Sequence, residues 1–159
     1  MNNVIYGYKC FKKGLVSSYN NLFIEGKIYH VNNPLYGKRG YHMCLRLEDT
    51  LRYFDSFTED IEIAHVKGFG DVSESFDDYN EYYNLYAVEN LEIIHILSRE
   101  EIINYALLLL DLRVIRFLQL FKLNSEELSV FEDKYRDNVY VMSVINYYQK
   151  AKIKKMIKS

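Results

Sequence analysis

Leu91-Glu92-Ile93-Ile94-His95-Ile96-Leu97-Ser98-Arg99-Glu100-Glu101-Ile102-Ile103 is where the chain changes character. Leu91 to Leu97 is apolar and partly β-branched, and reads as the last strand of a series. Ser98-Arg99-Glu100-Glu101 then has the pattern of a capping box: a hydroxyl accepts the backbone N–H three residues on, and a carboxylate reaches back. Ile102, Ile103, Ala106, Leu107, Leu109 and Leu110 make the helix that follows apolar nearly all round, so it is expected to be buried or paired. Leu112 to Lys122 continues as helix, with Ile115, Leu118 and Phe121 on one face. Asn124-Ser125-Glu126-Glu127 is a second helix start, leading into Leu128, Phe131 and Tyr135. A last helix runs from about Asn138 toward Ile157, with Val141, Val144, Ile145, Tyr148 and Ile153 inward.

Upstream of Ser98 the signals are strands. Val4 to Phe11 is β-branched and aromatic, Lys27 to Val31 follows Gly26, and Tyr41 to Leu45 follows Gly40. Glu48-Asp49-Thr50 opens a short helix, with Leu47, Leu51 and Phe54 on its buried face. Ile61 to Val66 is a further strand, which Gly68-Phe69-Gly70 is expected to end in a turn. Strands followed by helices indicate an α+β fold: a mixed or antiparallel β-rich half with a short helix, then a helical half. The expected division is 1–97 and 98–159, packed as one cooperative domain.

Composition bounds the function. The chain of 159 residues has 49% hydrophobic and 26% charged residues, as a soluble domain does. Net charge of −2 argues for neither a nucleic acid nor a membrane partner, and neither is expected. The longest apolar stretch, Ile102 to Leu123, is interrupted by Asn104, Asp111, Arg113, Arg116 and Gln119, which is no membrane span. Met1-Asn2-Asn3-Val4 has no signal-peptide pattern, and the two cysteines, Cys10 and Cys44, form no disulfide framework. A cytoplasmic protein with reduced thiols is expected. Sixteen Tyr and nine Phe stand against no Trp and one Pro. That excess fits either a half-wet binding surface or an AT-rich coding sequence.

Chemically capable residues gather in Gly40-Tyr41-His42-Met43-Cys44. His42 and Cys44 share a strand face, and are the catalytic pair if the protein is an enzyme. Cys10, His42, Cys44 and His65 are the residues a zinc ion would use, but the Cys-x-x-Cys spacing of zinc sites is absent and no metal is expected. From Gly68 to Ser98 there is no Lys or Arg. That stretch carries Asp71, Glu74, Asp77, Asp78, Glu81, Glu89 and Glu92, interleaved with Tyr79, Tyr82, Tyr83 and Tyr86. It reads either as a solvated acidic loop or as a surface for a basic protein partner. Ile102 to Leu110 fits a homodimer contact or burial under the last helix equally well. The concave surface beside His42 separates the two function classes. A deep cavity with converging polar groups points to an enzyme, and a flatter exposed acidic Tyr surface to a binding module.

Gly40 to Cys44, Leu51-Arg52-Tyr53-Phe54, Val66 through Gly70-Asp71-Val72, and Leu91 to Ile96 with Glu100 together resemble an uncharacterised domain family of phage and Firmicute-type bacteria. Its core is Gly-aromatic-His-x-Cys, and the resemblance covers roughly Val4 to Glu101. Members often carry a Cys three residues before the motif's Gly, where this chain has Gly37. The resemblance implies no known activity but suggests a phage or prophage setting, where small proteins of this size often bind and disable a host factor; no cofactor is expected. A more distant similarity is to ADP-ribosyltransferase-type folds, and it implies NAD as cofactor. Tyr8-Lys9-Cys10-Phe11 would be their first site strand, Tyr41 to Leu51 the aromatic strand and helix, and Asp71 to Glu81 the acidic corner. The first strand departs from that pattern, lacking a His or Arg next to an aromatic.

Overall fold

Alternation along Asn3–Lys12 (β1) turns Gly7 inward and leaves Val4 and Tyr6 exposed, as a half-buried strand requires. A computed structural model of the chain describes residues 3–74 and 85–158, with the backbone alone at 111, 152, 153 and 156. Asp77, Asp78, Tyr79, Glu81, Tyr82 and Tyr83 lie outside the described residues. The chain forms two compact units. One is Met1–Phe54 with Asp60–Leu97, the other Asp55–Glu59 with Ser98–Ser159. The expected α+β division into a β-rich and a helical part is present, except that residues 55–59 belong with the helices.

In the first unit β1 pairs along its length with Ile61–Glu74 (β4, after β2 and β3 below), from Asn3↔Gly70 to Lys12↔Ile61. The other edge of β4 pairs with Leu85–Ile96 (β5). Two short strands, Ile28–His30 (β2) and Tyr41–Cys44 (β3), lie in turn on the second edge of β5, through Tyr29↔Leu91 and Met43↔Tyr86. All these pairs are antiparallel. β3 then meets β1 at the single register Tyr8↔Cys44, which closes β1, β4, β5 and β3 into a ring. Phe11, Phe23, Met43, Val66, Val88 and Leu91 fill the space the ring encloses. One turn of helix, Leu47–Thr50 (α1), follows β3 and buries Leu47, with Leu51 and Phe54 behind it. Its Glu48 and Asp49, acidic residues suited to a wet helix start, are only 1% and 2% exposed.

Two sequence expectations are corrected here. Gly68-Phe69-Gly70 does not end its strand, and β4 runs on to Glu74. At Gly68 an added Cβ would lie 2.7 Å from both Met43 Sδ and Val88 Cγ1, so the glycine marks close packing in a continuing strand. Gly70, at φ +86°, carries the bulge that shifts register between Phe69 and Val72. The partner strand likewise begins at Leu85, six residues before the expected Leu91. Tyr86 is thus a strand residue opposite Glu74, not part of a helical Tyr series.

In the second unit both capping boxes form. Ser98 Oγ accepts from Glu101 N–H at 3.1 Å while Glu101 accepts from Ser98 N–H, opening Arg99–Leu107 (α2). Asn124 and Glu127 do the same for Ser125–Lys134 (α4). The helix after Ser98 does not continue unbroken. It stops at Leu107, and Asp111–Leu120 (α3) starts anew, leaving Leu108, Leu110 and Leu112 at 83%, 78% and 76% exposure. These side chains carry the homodimer alternative, and sedimentation that finds a monomer at micromolar concentration removes it. Val139–Val144 (α5) passes into a π-helical stretch, Ile145–Ala151, and then Lys152–Lys158 (α6). Phe117 stacks on Phe121 and Phe131, with ring centroids 5.0 and 6.2 Å apart. Arg99 makes a bidentate pair with Glu127 at 2.7 and 2.8 Å and donates to Lys122 O at 2.9 Å, which ties the start of α2 to the start of α4. Among the described residues no helix is long and apolar enough to cross a membrane.

Candidate ligand cavity in the strand seam

β1 and β3 pair at Tyr8↔Cys44 and then part, so Lys9 to Lys12 have no β3 partner. The seam opens into a cavity of about 300 Å³. Two loops complete its wall. The β1–β2 loop folds back through Lys12↔Val16 and Val16↔Leu22 and brings Ser17, Ser18, Tyr19 and Asn21 to the rim. The β2–β3 loop is held by Leu35 N–H to Arg39 O at 2.7 Å and by Tyr36 N–H to Ser73 Oγ at 3.1 Å. It contributes Tyr36 and Gly37.

Lys9 stands where backbone pairing fails. Its Nζ donates to His42 O at 2.7 Å, replacing the strand N–H that would otherwise satisfy that carbonyl. Phe11 and Phe23 lie beneath the amine, with centroids 5.6 and 6.0 Å away. Burial lowers its pKa from 10.5 to about 8, against a smaller opposing effect of the Cys44 and Cys10 thiols. His42 accepts from Gly37 N–H through Nε2 at 3.1 Å, so its neutral ring carries the proton on Nδ1. Burial, and then Lys9, hold its pKa below the ordinary value. Tyr36 packs edge-on against the His42 ring at 5.2 Å. Tyr53 is 40% exposed, but desolvation of its cavity-facing side first, then Cys44 and a hydrogen bond with Tyr36, keep it protonated above the usual range of a phenol. Among the described residues that line the cavity there is no carboxylate.

The sequence-predicted residues are partly brought together. His42, Cys44 and Cys10 line the cavity, and both cysteines are buried thiols. His65 is elsewhere, beside Tyr6 and Tyr8 at 6.0 and 5.6 Å. Among the described residues no group of three or more His, Cys, Asp or Glu side chains is placed to hold a metal. Asp71 and Glu74 are exposed at the far end of β4, where Asp71 N–H donates to Glu89 at 2.9 Å. Lys9 and Tyr53 entered the sequence reading only within the segments 8–11 and 51–54, with no role of their own, and Tyr36 did not enter it. A lysine two residues from a buried phenylalanine on the same strand face was the available signal for Lys9. No family model, curated protein or solved structure matches the chain. What the cavity can do is therefore read from its own geometry.

Lys9 gives a pH signature. The unfolded chain keeps this proton to about pH 10.5, while the folded protein gives it up near pH 8. Folding thus releases a proton between those values, and stability rises with pH across that window. The Cys44 and Cys10 thiols and His42 stand near the amine, and Tyr36 and Tyr53 share the cavity wall, so the test is the difference between wild type and Lys9→Met. Urea unfolding from about pH 8 to about 10.5 should show the rise in wild type and its loss in the variant. Parallel curves would show that the amine is not buried.

Proposed function

We propose that the protein works through the seam cavity, by binding a small planar molecule that bears a carboxylate or carbonyl group. The observation that carries this reading is the Lys9 amine in an aromatic-walled cavity whose described lining has no carboxylate to neutralise it. Tyr41, Tyr53, Phe23 and Phe54 offer apolar faces, and Lys9 and Tyr53 offer donors, the usual division of labour in a ligand site. A volume of about 300 Å³ favours one substituted ring or a short oxo acid over a dinucleotide. Ligand-observed NMR with aromatic carboxylates, 2-oxo acids and NAD tests this directly. Carboxylates or oxo acids should bind, and Ser18→Trp at the exposed rim should abolish binding. If no compound binds at millimolar concentration, or Ser18→Trp binds as well as wild type, the reading fails. Binding of NAD alone would favour the transferase alternative.

A second reading keeps the acidic segment as a contact for a protein partner, in a phage or prophage protein that disables a host factor. It is favoured by exposed Glu74 opposite Tyr86, whose pKa is raised by burial first and then by Glu74. On this reading, changing Tyr82 and Tyr83 to Ala costs about 2 kcal/mol or more in partner binding with stability hardly changed, and changing Asp77 and Asp78 to Asn mainly slows association. A folded quadruple variant that captures its partner at the wild-type level contradicts it.

A further inference from the structure

We propose that Lys9 is a carbonyl-reactive nucleophile, condensing its side-chain amine with a small aldehyde or 2-oxo acid held in the seam cavity to form an imine. The proposal rests on the cavity being the ligand site and specifies what happens there. Three features of the geometry point to it. The amine lies in the cavity wall, beside aromatic rings and two thiols instead of carboxylates that would hold it as an ammonium. One N–H is fixed on His42 O at 2.7 Å, which limits the directions the nitrogen can take. The Tyr53 phenol shares the wall and stays protonated, and its O–H, engaged with Tyr36, can turn to an oxygen that gains charge.

The chemistry balances without a further reagent. The nitrogen lone pair of neutral Lys9 forms a bond to the carbonyl carbon, and the C=O π pair moves to oxygen, which takes a proton. The nitrogen loses a proton, giving a carbinolamine. Its hydroxyl then takes a proton and leaves as water as the nitrogen lone pair forms the C=N bond, and the nitrogen gives up its remaining proton. Amine and carbonyl thus become imine and water with no change of oxidation state. At pH 8 a group with a pKa of about 8 is half neutral. An ordinary lysine is neutral to about 0.4%, so the reactive fraction of Lys9 is about a hundredfold larger.

The test uses the full chain with pyruvate, glyoxylate and benzaldehyde, each with sodium cyanoborohydride at pH 8, read by intact mass and peptide mapping. The expected result is a single reduced adduct on Lys9, formed at least about tenfold faster than on exposed Lys12, Lys13 or Lys27, because its neutral fraction is larger. Lys9→Arg keeps a donor for His42 O and should lose the adduct while the other lysines react unchanged. Adducts spread over exposed lysines with Lys9 unmodified would overturn the proposal. Ligand-observed NMR on the same compounds separates the two levels. Binding blocked by Ser18→Trp but without a Lys9 adduct removes the imine and leaves the binding site, whereas no binding and no adduct removes both.

Discussion

Gln149→Leu should lower stability by about 3 kcal/mol or more, because it orphans three buried backbone groups at a cost of about 1–3 kcal/mol each. Gln149 is 2% exposed. Its Oε1 accepts from Leu123 N–H at 3.0 Å, and its Nε2 donates to Leu118 O at 2.6 Å and Phe121 O at 2.8 Å. One side chain thus closes the C-terminal end of α3, where carbonyls have no helical partner. Leu would fill similar space and supply none of these bonds. Gln149→Glu keeps an acceptor for Leu123 N–H but places a carboxylate against two carbonyls, so it should cost at least as much. The check is urea unfolding of the full chain. A loss below about 1 kcal/mol would mean that solvent reaches these groups and satisfies them.

The second large effect is expected at Gly7. β1 and β3 come so close at Tyr8↔Cys44 that a Cβ on Gly7 would overlap the Cys44 carbonyl oxygen and lie 2.9 Å from Met43 Cε. The oxygen belongs to backbone and cannot swing aside as a side-chain tip can. Gly7→Ala must therefore part the two strands at the one register that closes the ring. The expected cost is about 3 kcal/mol, the upper part of the range for overpacking. Amide exchange should accelerate around Tyr8 and Cys44, while α3 and α4 keep their protection. Stability within about 0.5 kcal/mol of wild type would show that the seam is not a tight contact.

Some of this was legible in the chain and some was not, for physical reasons that differ by residue. The capping boxes at Ser98 and Asn124 were readable because both halves of each reciprocal bond lie within four residues. β1 was readable from β-branched and aromatic content, and β3 as the run that follows Gly40. Gly68 and Gly70 misled, since a glycine in a strand signals a turn, a bulge or close packing alike, and the neighbours that decide, Met43 and Val88, are distant in sequence. Lys9 reads as a surface lysine until the parting of β1 and β3 leaves His42 O to it. Gln149 continues the buried spacing of Val141 and Ile145, but its partners belong to α3 and the residues just beyond it. His42 and Cys44 were found because they sit next to each other on one short strand, whereas Tyr36 and Tyr53 arrive from loops on either side of it.

Met43 offers the most direct measurement of the central claim. It lines the cavity, and the chain's other methionines are Met1, Met142 and Met156. With methyl-labelled methionine, adding the strongest-binding carboxylate or oxo acid should shift the Met43 resonance in a saturable way and leave Met142 in the helical unit in place. A bound ligand that moves Met142 and not Met43 would contradict the assignment of function to the seam between β1 and β3.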